Sequence, residues 1–276
     1  MKFKIPTRLL VIVFSGFLAG VHGQRGVATV GPASQAQAPP PASAPGQARQ
    51  DSGKRPSLTL EDRADIFMAR KSYADAADYY TRCLKQPNCA SVPVWNKLGI
   101  AYQQGLNYRA ARKAYNKAVR LQKSYAEPLN NMGTTYFFEK RYKKSVQYYQ
   151  RAIELSPSSP SFHVNLGTSY FHLKRYQEFV QEYRTALGLD PDVLTERTAV
   201  GTVMEARAAE PEYYFYLARV FASVGRVEDA VRYLRRAMEE GFKDQKKIDE
   251  APELAKISQH PAFIELMKNR PTPIKE

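Results

Sequence analysis

From Ala64 to Ala237 the apolar positions recur at intervals of three and four residues, the spacing of a helix with one buried face. Tyr108, Ala111, Tyr115 and Ala118 form one such run, and Leu98, Gly99 and Tyr102 form another just before it. Gly105, or a charged pair such as Lys140-Arg141, separates the two runs of a pair, and Pro157 and Pro191 stop the second run before the next pair begins. The pattern predicts an all-α chain of short helices in antiparallel pairs.

The pairs also repeat. Under a shift of 34 residues Gly99 becomes Gly133 and then Gly167, Tyr102 becomes Tyr136 and Tyr170, and Tyr108 becomes Tyr142 and Tyr176. Tyr115, Tyr149 and Tyr183, then Ala118, Ala152 and Ala186, then Leu121, Leu155 and Leu189 extend the match to six columns. A weaker copy precedes these, with Ala64, Phe67, Tyr73, Ala76, Tyr80 and Cys83, and another follows, with Ala218, Phe221, Val227, Ala230, Leu234 and Ala237. Five copies result, at 57–91, 92–125, 126–159, 160–193 and 211–241, with an insertion at 194–210. One helix pair cannot bury its own apolar face, so the copies must stack as a solenoid. Gly and Ala in the columns let helix backbones approach, and the aromatics wedge between neighbours.

Leu129, Met132-Gly133, Tyr136, Tyr142, Tyr149, Ala152 and Pro157 in the third copy, with Trp95, Leu98-Gly99 and Tyr102 in the second, resemble the tetratricopeptide-repeat pattern over roughly 57–241. The resemblance implies a right-handed α-solenoid of helix hairpins, a concave groove lined by the first helix of each copy, and binding of a protein or peptide there. It implies that Asn96, Lys97, Asn130, Asn131, Thr134, Asn165 and Thr168 point into the groove, with Phe137, Phe138, Phe171 and His172 one turn later. An Asn side chain can bond both the N–H and the C=O of an extended peptide. Asn131 and Asn165 would then clamp a partner's backbone while Phe138 and Phe171 receive its side chains. The alternative is that the asparagines bond only across neighbouring helices. Repeats that take the acidic C-terminal tails of heat-shock chaperones carry paired basic residues where this chain has Glu61 and Asp65, Asn96 and Ile100, or Glu212 and Tyr216, which argues against a C-terminal carboxylate as ligand. Two departures from the pattern carry expectations. Lys123 replaces the proline of other copies, so a longer helix is expected there; Phe179 replaces Ala111, so the fourth pair is expected to splay, with the 194–210 insertion filling the gap.

The ends and the charge complete the reading. Lys2, Lys4 and Arg8 precede an uncharged, mostly apolar stretch from Leu9 to Val21, followed by Val21-His22-Gly23, the three-part pattern of a secretory signal cut after Gly23. An uncleaved anchor is the alternative. Residues 24–56, rich in Ala, Pro, Gln, Gly and Ser, read as a disordered tether, and 242–276 read as a helical cap over the last repeat. These features point to the periplasm or to secretion. Export argues against nucleic acid as a partner and permits disulfides. Cys83 and Cys89 could close a small loop at a helix end, or remain as two thiols. The net charge of +14 collects on turns and second helices, from Arg109 through Lys123, at Lys140–Lys144 and at Lys174-Arg175. This ridge is either solubilising charge or contact with an anionic envelope surface or acidic protein.

No H-E-x-x-H, phosphate-binding glycine loop or G-x-S-x-G occurs, and His163 and His172 are too far apart along one helix to share a ligand. The expectation is no enzyme, no cofactor and no metal site. The chain reads as an adaptor or scaffold of the cell envelope. A structural tether to an anionic polymer or membrane, or an accessory subunit of an envelope enzyme or secretion machine, are the alternatives.

Overall fold

The computed structural model describes residues 58–194 and 210–273, and among these there is no strand. Ten helices form five hairpins: α1 (Leu60–Ala69) with α2 (Tyr73–Cys83), α3 (Val92–Gln104) with α4 (Tyr108–Leu121), α5 (Glu127–Phe138) with α6 (Tyr142–Leu155), α7 (Pro160–His172) with α8 (Tyr176–Leu189), and α9 (Pro211–Ser223) with α10 (Val227–Glu239). Each second helix also packs on the first helix of the next hairpin. Three short helices follow: α11 (Gln245–Asp249), α12 (Pro252–Ala255) and α13 (Pro261–Lys268).

The tight turn inside each hairpin has a common construction. Lys71, Leu106, Lys140, Lys174 and Gly225 all take positive φ, between 57° and 75°. The N–H after each of them returns to the first helix, as from Asn107 to the Tyr102 carbonyl at 2.8 Å and from Arg141 to the Tyr136 carbonyl at 2.9 Å. That is the paired hydrogen bonding by which a left-handed residue satisfies the last carbonyls of a helix. Glycine supplies the left-handed residue in only one of the five turns. Gly105, one residue earlier, is an ordinary cap at φ −77°.

In the second, third and fourth hairpins the contact between the two helices is glycine against tyrosine. Tyr80, Tyr115, Tyr149 and Tyr183 are at most 2% exposed. A Cβ on Gly99 would stand 2.3 Å from the Tyr115 ring, one on Gly133 2.6 Å from Tyr149, and one on Gly167 2.6 Å from Tyr183. Each phenol then reaches a partner on the first helix: Tyr80 donates to Asp65, Tyr115 to Gln103 at 2.9 Å and Tyr149 to Thr134 at 3.1 Å, while Tyr183 bonds Thr168 at 2.7 Å. Burial pushes all four hydroxyls up, that of Tyr183 to about 12.

Two expectations are corrected. The fourth hairpin is not splayed, because its glycine–tyrosine approach equals that of the third. Phe179 is fully buried without separating α7 from α8. Its ring lies 5.5 Å from Phe171, 4.3 Å from Tyr183 and 5.7 Å from Tyr213, so it fills the seam towards α9. The proposed gap-filling segment lies mostly outside the described residues. Nor does Lys123 lengthen a helix: α4, α6 and α8 are each 14 residues, and Tyr125 bonds back to Gln122 in the following turn.

Cys83 and Cys89 are joined by a disulfide that closes the loop after α2. A loop of this size is worth about 2 kcal/mol on the chain-entropy model. Reduction is therefore expected to lower the unfolding free energy by about 2 kcal/mol, read as a fall in the urea midpoint with and without reductant.

The C-terminal helices cover the last hairpin. Ile248, Leu254, Ile257, Phe263 and Leu266 are buried in the same apolar cluster as α9 and α10. α12 rests on α9 and α13 on α10. Arg219 of α9, 6% exposed, donates from Nε and Nη2 to both Glu253 oxygens at 2.9 and 3.2 Å.

Candidate functional site

The first helices α3, α5 and α7 lie side by side, with α3 also facing α1 through its side chains. Across them runs a ladder of polar groups. Lys97 Nζ lies 2.9 Å from Glu61 and 2.7 Å from Asp65, joining α3 to α1. Asn131 donates to Asn96 at 3.1 Å, joining α5 to α3, and Asn165 donates to Asn130 at 3.0 Å, joining α7 to α5. Asn96 donates onward to the Tyr125 hydroxyl at 3.4 Å, and Asn130 to Asn131 at 3.4 Å. Burial alone would lower the Lys97 pKa, but its bonds to Asp65 and Glu61 outweigh this and hold the ammonium above its ordinary value.

The ladder corrects the backbone-clamp expectation. Asn165, Thr168 and Phe171 do not present themselves to a partner: they are 0%, 0% and 4% exposed. Asn165 spends its amide on Asn130. Thr168 bonds the Val164 carbonyl and Tyr183, and the Phe171 ring meets Tyr176, Phe179 and Tyr213. Asn96, Asn130 and Thr134 are likewise buried at 7% each. The physical reason is that an amide on a first helix meets the next first helix before it meets solvent. Asn130→Ala removes a buried partner from both Asn165 and Asn131 and is expected to destabilise by about 1–3 kcal/mol, seen in equilibrium denaturation.

Four of the expected residues keep accessible surface: Lys97, Asn131, Phe138 and His172 are half-buried. Phe138 stacks on Tyr108 with ring centroids 6.1 Å apart. His172 stacks on Tyr142 at 4.1 Å and meets Phe137 edge-on at 4.9 Å. The tyrosines opening α4 and α6 thus brace the aromatic rim at the ends of the preceding and following first helices. The sequence placed Glu61 and Asp65 at ligand-facing positions of the first copy, but not their pairing with Lys97.

At the other end of α7, His163 Nδ1 lies 2.7 Å from Glu182, and Nε2 lies 2.9 Å from the Pro157 carbonyl. Burial would lower its pKa, but the bonds to Glu182 and Pro157 raise it above the ordinary value. A raised value means the folded state holds the proton more tightly than the unfolded chain does. The resulting stabilisation is complete below about pH 6.5 and is lost as the pH rises through the folded value. The urea midpoint is expected to fall as the pH rises above this point, and His163→Gln should remove that part of the slope.

A tetratricopeptide-repeat family model matches residues 126–159, and two others of the same repeat match 92–125 with 160–193, and 216–246. The chain is a tetratricopeptide-repeat protein. Similar solved structures include the crystal structure of MamA, at 21% identity over 67% of this chain and 96% of that one, with a TM-score of 0.45. MamA 41-end from Desulfovibrio magneticus RS-1 is 16% identical over 66% of this chain and 92% of that one, at 0.47. The first tetratricopeptide repeat of Spaghetti (RPAP3), bound to the HSP90 peptide SRMEEVD, is 21% identical over 42% and 90%, at 0.39. No curated protein matches in sequence. Tetratricopeptide repeats bind peptides or proteins, and such folds are typical of binding scaffolds rather than enzymes.

Proposed function

We propose that this tetratricopeptide-repeat protein is a non-enzymatic adaptor that holds a partner protein or peptide against the first-helix face of α3, α5 and α7. The observation that carries the reading is the surface left accessible there: Lys97 and Asn131, which are half-buried and keep hydrogen-bonding capacity beyond the bonds of the ladder, and the braced rings of Phe138 and His172. An extended segment laid across the face meets hydrogen-bonding groups at its middle and aromatic area at its rim. Lys97 is already paired with both Glu61 and Asp65, whose carboxylates would repel a terminal carboxylate there, so the ligand is an internal segment or a folded surface.

We further propose export to the cell envelope. The sequence of residues 1–23 supports this, and so does the Cys83–Cys89 disulfide, a bond that persists in oxidising compartments. Among the described residues no helix is long and apolar enough to cross a membrane.

Affinity capture from an envelope extract tests the reading, with the full chain beside an Asn131→Ala/Phe138→Ala variant. Both positions are half-buried, so the variant should keep its helicity. Retention of a partner by the first chain and its loss from the second supports the adaptor. Equal capture by both, or no retained protein, would count against it.

A further inference from the structure

A second surface lies on the outer side of the stack. α4 carries Arg109, Lys113, Lys117 and Arg120 at spacings of four, four and three, all exposed on one face, and contains no carboxylate. Lys123 follows in the turn. Among the described residues, none of these five cations has a carboxylate within ion-pair distance; the one ion pair made from α4 is Arg112 with Glu139. Like charges four residues apart on a helix are mutually destabilising, so the stripe costs the fold stability and returns no internal contact.

Beside the stripe the surface is concave and apolar. A cleft of about 390 Å³ opens between the ends of α4 and α6, over Val119, Leu129 and Leu155, with Arg120, Lys123 and Arg151 at its rim. Glu154 is the one carboxylate in the lining. Leu155 is 43% exposed although it sits on the wall of this cleft. Arg151 and Glu154 also line a second cleft of about 390 Å³ that holds Tyr148. The two clefts share a wall, which gives an apolar station and an aromatic station in succession, the first beside Arg120 and Lys123 and the second beside Arg151, whose guanidinium lies 5.5 Å from the centre of the Tyr148 ring.

We propose that this surface binds an acidic segment of another protein, with apolar side chains seated over Leu129 and Leu155 and beside Tyr148, and carboxylates paired with Arg120, Lys123 and Arg151. Charge complementarity selects an acidic occupant, and the concavity selects one with side chains to insert. An anionic lipid surface fits less well. The exposed leucines Leu121, Leu155 and Leu189 recur along one edge, as a plane would require, but Leu189 is followed by Asp190 and Asp192, which repel that plane at one end. The site is separate from the first-helix face and does not depend on it.

The probe is a fluorescein-labelled peptide of four Glu-Glu-Leu units, titrated with the full chain and read by anisotropy at low and high salt. Binding is expected, weakened strongly by salt because exposed charges are screened. Arg120→Glu/Lys123→Glu should weaken it at least about tenfold, equivalent to about 1.4 kcal/mol. Leu155→Ser, at an exposed position and constant charge, should weaken it about threefold or more, as burial of about one CH₂ group fewer would. Phe138→Ala should leave it unchanged. The proposal is overturned if the peptide does not bind, if an all-Glu peptide binds as well and Leu155→Ser has no effect, if Phe138→Ala abolishes binding, or if anionic phospholipid vesicles bind while the peptide does not. Thermal melts of each variant confirm that folded chains are being compared.

Discussion

Gly133→Ala is expected to lower the stability of the chain by about 3 kcal/mol, the upper end of the range for overpacking a core. The direction is opposite to the ordinary rule, since alanine in place of a helical glycine normally gains about 1 kcal/mol. The geometry decides the sign. The added Cβ would stand 2.6, 2.7 and 3.1 Å from three atoms of the Tyr149 ring, and that ring is fully buried with its hydroxyl on Thr134. It has no free rotamer to retreat into, so α5 and α6 must part. For a folded region of this size the melting temperature should fall by roughly 6–12 °C. A double variant with Tyr149→Leu, which removes the obstructing ring edge, should recover part of the loss as a coupling of about 0.5–3 kcal/mol. An unchanged or raised melting temperature in Gly133→Ala would mean that the glycine–tyrosine contact does not set the hairpin spacing.

Glu253→Ala should be comparably damaging for a different reason. Arg219 and Glu253 are 7% and 14% exposed in their side chains, and the pair is bidentate. Removing one partner leaves a buried guanidinium without its counter-charge, which costs about 3–5 kcal/mol, whereas replacing both by apolar residues is often neutral. Glu253→Ala is therefore expected to unfold earlier in urea and to release α12, exposing 245–270 to proteolysis. Arg219→Leu/Glu253→Leu should restore both properties. Equal loss in the single and double variants would show that the cap is held by this charge pair itself rather than by the apolar residues around it.

The repeat itself was legible because its columns carry residues with one physical use. Gly99, Gly133 and Gly167 admit Tyr115, Tyr149 and Tyr183, and both members of each pair recur at the same interval. The hairpin turns were less legible. A left-handed residue is usually signalled by glycine, yet Lys71, Leu106, Lys140 and Lys174 occupy that conformation here. Phe179 was misread because its column faces two directions, and the extra volume went towards Tyr213 rather than between α7 and α8. The docking of Glu253 on Arg219 links segments 34 residues apart through a cap that has no periodicity of its own.

The candidate face was half legible. Side-chain type and helix register placed the asparagines correctly on the first helices, but not whether their amides were spoken for. Asn130 and Asn165 bond each other across the stack, and only a structure shows that. The accessible set narrows to Lys97, Asn131, Phe138 and His172, with Glu61 and Asp65 added by their grip on Lys97.

Hydrogen–deuterium exchange on the chain with and without its captured partner shows whether that partner lies on the first-helix face. Added protection is expected along the α3 segment from Lys97 to Gln104 and the α5 segment from Asn131 to Phe138. Protection confined to α4 and α6, with those two segments unchanged, would contradict it and would leave the outer basic surface as the binding site.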